Sequence, residues 1–171
     1  QAILSRLDEF FSGKFFIGVK VLGDYQGVPI TDPRFKPVWD YANRHRLPIL
    51  LHTWEGVNNS PRLLEKIAPK YPEATFLLGH SGGGNTGRRE AIALAKANSN
   101  VFLEFCGSFC SDIPWEETIA EVGTDQIVFG TDGIYHDPAW ELGRLVSLAI
   151  DEQTMAKFLA GNMRAILARH R

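Results

Sequence analysis

Cysteine is scarce in this chain: among 171 residues only Cys106 and Cys110 occur. Two cysteines cannot build the disulfide scaffold of a small secreted domain, and without a second pair they lack the spacing of a structural zinc site. Both thiols are therefore expected to be reduced. Long apolar runs are missing as well. Stretches such as 47–51 and 76–78 fall far short of the roughly 20 residues needed to cross a bilayer, so no membrane span is expected. No signal or transit segment is recognisable, which makes the cytoplasm the expected compartment. Charge of one sign is not in excess either. There are 18 Lys and Arg against 20 Asp and Glu, and no basic run is longer than Arg88-Arg89, which argues against a nucleic-acid partner. A small-molecule substrate is the expected partner.

With 44% hydrophobic residues, the chain has enough apolar side chain for one globular domain spanning 1–171, and no linker or low-complexity tract divides it. Five short apolar runs recur, at 15–21, 48–52, 75–80, 101–106 and 126–132, most of them closed by a polar residue. Between them, segments 37–46, 61–70, 87–97 and 114–122 repeat apolar residues every three or four positions, the period of a helix with one buried face. Proline directly after a polar residue, as at Ser60-Pro61 and Asp137-Pro138, marks helix starts, because the first turn has no use for the amide hydrogen that proline lacks. The end of the chain reads as helical over 138–148, 151–159 and 163–169, with a break at Gly161-Asn162. Strands alternating with helices, and rich in Val, Ile, Leu and Phe, predict a parallel α/β fold buried on both faces.

In such folds ligands bind at the carboxyl ends of the strands. His52, His80 and Asp132 stand at three of those ends. Alternation places Leu50 with His52, Leu78 with His80, and Val128 and Gly130 with Asp132, each set on one strand face. Two neutral imidazoles and a carboxylate suit a divalent ion such as zinc and leave room for an activated water. The competing explanation is that these are hydrogen-bonded structural residues.

The segments Pro48-Ile49-Leu50-Leu51-His52, Gly79-His80-Ser81-Gly82-Gly83 and Phe129-Gly130-Thr131-Asp132, with the closing Gly161-Asn162, resemble the amidohydrolase-related family of the amidohydrolase superfamily, which includes aminocarboxymuconate-semialdehyde decarboxylase, related non-oxidative decarboxylases and lactone hydrolases. The likeness runs from about Gly13 to Leu167. It implies a TIM-barrel-like (β/α)8 fold in which the five runs are strands four to eight. It further implies that His52 and Asp132 ligate the metal, that His80 orients or deprotonates a water, and that Asp132 also shuttles a proton. The family's paired His-x-His on strand one has no counterpart, since His45, His136 and His170 form no such pair; an N-terminally incomplete barrel is expected. Five parallel strands would leave open edges, so self-association is a possibility.

Four further residues are candidates for substrate contact. Lys20 shares a face with Phe16 and Gly18 and either meets substrate or pairs inside the core. Glu104, with Phe102 and Cys106, either pairs with Lys20 or contacts substrate. Trp54 and Tyr135 follow two of the strand-end residues in loops, as does His136, and each could equally be loop packing. Loop 81–87 holds four glycines that could offer backbone donors to an anion, but it lacks the lysine of a nucleotide-binding P-loop; a sharp turn beside His80 is the simpler explanation. Nothing next to Cys106 or Cys110 in sequence would lower a thiol pKa. The expected activity is metal-dependent hydrolysis of a small amide, lactone or related substrate, with non-oxidative decarboxylation, or a non-catalytic barrel module, as alternatives.

Overall fold

A computed structural model of the chain describes residues 2–13, 15–107 and 113–169, the side chain of Ile113 excepted. Five strands, β1 (Val19–Val21), β2 (Pro48–His52), β3 (Thr75–Gly79), β4 (Val101–Phe105) and β5 (Ile127–Phe129), pair in sequence order, each parallel to the next. This is the strand order of a (β/α)8 barrel, realised over five consecutive strands. The helices are α1 (Ala2–Phe11), α2 (Gly23–Gln26), α3 (Lys36–His45), α4 (Asn85–Ala97), α5 (Ile113–Val122), α6 (Pro138–Val146), α7 (Glu152–Ala156) and α8 (Asn162–Ala168). Among the described residues, no helix is long and apolar enough to cross a membrane.

Alternation along the strands splits the core in two. Ile49, Leu51, Phe76, Leu78, Val101 and Leu103 face the helices and pack with Trp39, Ala42, Ala91, Ile92, Leu94 and Ala95. The opposite face carries a row in register, Lys20, Leu50, Leu77 and Phe102. Leu77 and Val128 on that face pack with Ile166, and Leu50, Phe102 and Met163 lie against them. The chain's last helix thus folds under the sheet, and Arg169 donates to Thr75 at the start of β3, at 3.5 Å. Burying a Leu- or Phe-sized side chain stabilises by about 1.5–3 kcal/mol, so this double-sided packing is what holds short parallel strands together.

Local signals decide where elements start. Asp137 accepts from the Ala139 amide at 2.9 Å ahead of Pro138, and Asp151 accepts from the Thr154 amide at 2.7 Å, so both helices are capped. Several expected boundaries move. The run 15–21 forms a strand only over Val19–Val21, and 126–132 only over Ile127–Phe129. Segment 61–70 is two 3₁₀ turns, Pro61–Lys66 and Ala68–Lys70, not an α-helix. Pro69 has no amide to donate to the α-helical ladder, and Asn100 Nδ2 donates at 3.0–3.2 Å to the Ala68, Tyr71 and Ala74 carbonyls, which satisfies the end of the segment without one. Gly161-Asn162 is not a break: a π-helical turn, Lys157–Gly161, joins α7 to α8 without leaving helical geometry.

Asn162 explains why that turn is held. Its side-chain amide donates to the Thr124 and Ile127 carbonyls at 2.8 and 2.7 Å and pins the helix to the root of β5. Asn162→Ala is expected to leave both carbonyls unpaired in a buried position and to lower unfolding stability by about 1–3 kcal/mol, read from urea denaturation. An unchanged midpoint would show that the helix needs no such tether.

Candidate active site

One row up from Lys20 and Leu50, the register places His52 opposite Gly79, Gly79 opposite Glu104, and Glu104 opposite Val128. Gly79 contributes no side chain to that row. The next residue, His80, does not continue the strand: its φ is 63° and that of Ser81 is 47°. Leu78 and His80 therefore do not share a face as alternation predicts. Leu78 packs against the helices, while the left-handed turn brings the His80 ring toward His52. A non-glycine residue in this region carries a cost of order 1–3 kcal/mol, met here by the surroundings. The Ser81 hydroxyl donates to the Glu104 carbonyl at 3.0 Å, the His80 amide to Glu104 Oε2 at 3.3 Å, and the Gly83 amide to the His80 carbonyl at 2.8 Å. Thr53 completes the brace, donating to the Gly79 carbonyl at 2.6 Å and accepting from the Gly82 amide at 2.9 Å.

The result is a connected polar cluster. His80 Nε2 lies 3.2 Å from His52 Nδ1, and His80 Nδ1 lies 3.3 Å from the Cys106 carbonyl oxygen. The Cys106 thiol donates to Glu104 Oε2 at 2.8 Å and sits 3.5 Å from His80 Nδ1. Asp132, with φ 48°, turns in from the loop after β5, so that donor atoms of His80, Cys106 and Asp132 all lie within 4.8 Å of one another. His52 stands outside that trio and reaches it through His80. Trp54 walls the cluster, its ring 6.3 Å from His52 and 5.7 Å from His80 between centroids.

Burial sets the protonation states. It holds His80 below the ordinary imidazole value, although Asp132 and the Cys106 carbonyl oppose the effect. His52 is lowered for the same reason, with His80 and Lys20 adding to it. Both rings are thus neutral near pH 7 and can accept a proton or donate a lone pair. Burial raises the Glu104 carboxyl, and burial followed by the adjacent Glu104 raises the Cys106 thiol. Cys106 is accordingly not an activated nucleophile. Among the described residues, no Lys or Arg lies within ion-pairing distance of Glu104 or Asp132; the neighbour of Asp132 is His136, at 3.9 Å. Two neutral imidazoles and carboxylates without a cationic partner fit a divalent ion.

The other sequence candidates divide. Glu104 lies at the centre of the cluster, yet it makes no ion pair with Lys20, which is exposed and lines an apolar cavity of about 330 Å³ with Phe16, Leu50, Leu77 and Met163. Tyr135 projects into solvent at 85% exposure and touches the site only through its amide, which donates to the Asp132 carbonyl. His45 stacks on Tyr41, away from the cluster. Cys110 and His170 lie outside the described residues. Four backbone donors of the glycine loop are already used: the Gly82 and Gly83 amides bond Thr53 and the His80 carbonyl, and Glu55 Oε1 accepts from the Thr86 and Gly87 amides at 2.7 and 3.2 Å, capping α4 from the neighbouring loop. Cys106, weighed in the sequence only as a reactive thiol, is the donor whose place beside His80 and Asp132 the sequence did not reveal. Its signal was parity, since it follows Glu104 by two residues.

The family model for amidohydrolases matches residues 1–169. Comparison with curated proteins finds no match. Among solved structures, 2,6-dihydroxybenzoate decarboxylase from Rhizobium is 19% identical with a TM-score of 0.79, over 98% of this chain and 67% of that one. An uncharacterised TIM-barrel protein from Bordetella bronchiseptica is 17% identical with a TM-score of 0.69, over 84% of this chain and 53% of that one. A dihydroxybenzoic acid decarboxylase from Polaromonas sp. JS666, solved with manganese and 2-nitroresorcinol, is 18% identical with a TM-score of 0.75, over 98% of this chain and 65% of that one. At these identities the likeness shows the fold, and the chain spans from about half to two thirds of each of these proteins.

Gly130 gives the cluster a sharp structural test. A Cβ there would stand 1.5 Å from Glu104 Oε1, so the carboxylate occupies space that only glycine leaves free. Gly130→Ala is expected to displace Glu104 and to lower stability by about 1–3 kcal/mol in urea unfolding. Wild-type stability in that variant would mean that Glu104 is not packed as described.

Proposed function

We propose, on the premise that this chain belongs to the amidohydrolase family, that it carries part of the active site of a metal-dependent enzyme acting on a small organic substrate, with hydrolysis of an amide, lactone or related bond as the first reading. The observation that supports it most is the convergence of a buried neutral His80, His52 and Asp132 at the carboxyl ends of β2, β3 and β5 of one parallel sheet, where such folds bind ligands. A divalent ion of the zinc type, held by His52 and Asp132, would polarise a water or a substrate oxygen. His80 orients the attacking water and takes its proton, as a buried imidazole kept neutral can do. The water oxygen bonds to the carbonyl carbon, the bond to the leaving oxygen or nitrogen breaks, and the proton that His80 took is relayed by Asp132, within 4.8 Å of it, to that leaving atom. In this reading Trp54, whose ring walls the cluster, offers the substrate an apolar surface, and Lys20 and Tyr135, both exposed, would meet only a substrate that extends beyond the cluster. Glu104 serves by positioning His80 and Cys106.

Decarboxylation is the second reading, favoured by the likeness in fold to dihydroxybenzoate decarboxylases. There Asp132 would protonate the carbon bearing the carboxylate; the bond to that group then breaks, its electron pair stays on the carbon, and carbon dioxide leaves.

A screen of lactones and aromatic carboxylic acids separates the two, because hydrolysis of a lactone releases acid and decarboxylation releases carbon dioxide. In the full-length protein, Asp132→Asn is expected to lower kcat/KM by about 10²–10⁴-fold on whichever substrate turns over, and chelation should stop turnover until a divalent ion is restored. Retained activity in the variant would remove Asp132 from the chemistry, and turnover indifferent to chelation would remove the metal.

A further inference from the structure

Cys106 is left unused by this chemistry, yet it stands among the groups that perform it. Its thiol is 3% exposed, 3.5 Å from His80 Nδ1, and grouped with His80 and Asp132 within 4.8 Å. Gly107, which follows at φ 50°, keeps that approach open: a Cβ there would stand 3.2 Å from Asp132 Oδ2 and 2.9 Å from the His136 ring. Sulfur, imidazole nitrogen and carboxylate oxygen form a mixed donor set that discriminates among metals. Thiolate favours zinc-like and softer ions, whereas manganese and magnesium prefer oxygen.

We infer that His80, Cys106 and Asp132 form a second metal position, selective for thiophilic divalent ions, whose occupation withdraws His80 and Asp132 from proton transfer and so inhibits the enzyme. On binding, the S–H bond breaks, sulfur keeps the electron pair and donates it to the ion, and one proton passes to solvent for each ion bound. The inhibitory effect rests on the roles proposed for His80 and Asp132, whereas ion binding through Cys106 stands on the geometry alone.

Cadmium is the probe, because a cadmium thiolate has an ultraviolet charge-transfer band that nitrogen and oxygen ligands do not give. The full-length protein carrying Cys110→Ser should develop that band on cadmium titration. Cys106→Ser should lack it and bind cadmium at least about tenfold more weakly, with calorimetric melting confirming that it folds. Manganese should not displace cadmium from the Cys110→Ser protein. Absence of the band in Cys110→Ser, or a band of full strength in Cys106→Ser, overturns the assignment. Where a substrate is turned over, cadmium inhibition should be weakened by Cys106→Ser, and equal inhibition of both proteins overturns the regulatory part. If Asp132→Asn retains activity while the band forms, the catalytic reading falls and the ion site stands.

Discussion

Parallel pairing sets His52, Gly79, Glu104 and Val128 in one row across four strands, and every contact of the polar cluster follows from that row. The glycine in the row is a vacancy between a histidine and a glutamate. A Cβ there would stand 2.7 Å from the Leu51 carbonyl oxygen, and His80 joins the row from the residue beyond, which requires a left-handed backbone at two successive non-glycine residues. That conformation persists because the bonds bracing it come from other strands: Thr53 after β2 and Glu104 on β4. Without the row there is nothing to hold the turn, and without the turn His80 would face away from His52.

The same arrangement accounts for the electrostatics. A ring folded back over the sheet is buried, so its imidazole stays neutral and the nearby Glu104 and Cys106 are both biased toward their protonated forms. The cluster therefore concentrates lone pairs and acceptors without a cation to balance Asp132, which is the electrostatic condition for holding a divalent ion. Gly130 and Gly107 extend the principle to both flanks, since each leaves space for a side chain from elsewhere, Glu104 in one case and Asp132 with His136 in the other.

Glycine in this region is best understood through what occupies the space it leaves. The loop at 81–87 is the clearest case. Four glycines around a helix start, three before α4 and Gly87 in its first turn, read in sequence as a cradle for an anion, but the anion is already present as the Glu55 carboxylate on the amides of Thr86 and Gly87. A protein side chain has taken the position that a bound phosphate would take, and the loop's role is to tie the segment after β2 to α4. Asn162 at the other end of the barrel works in the same manner, with a single side-chain amide satisfying two carbonyls.

What the sequence determined on its own was the alternation of strands and helices, the parallel architecture, and His52, His80 and Asp132 as strand-end polar residues. These are properties of local periodicity and of the chain's hydrophobic pattern, which a linear reading captures. The tertiary structure alone decided which way His80 points, that Cys106 rather than His52 joins it and Asp132 as a compact donor set, that Tyr135 faces solvent, and that 61–70 winds as 3₁₀ turns. The His80 turn, the donor set and the 3₁₀ turns depend on partners more than 20 residues away, and period-two alternation holds only while the strand continues. At Gly79 it stops, and the side chain that matters most to the site lies one residue past that point.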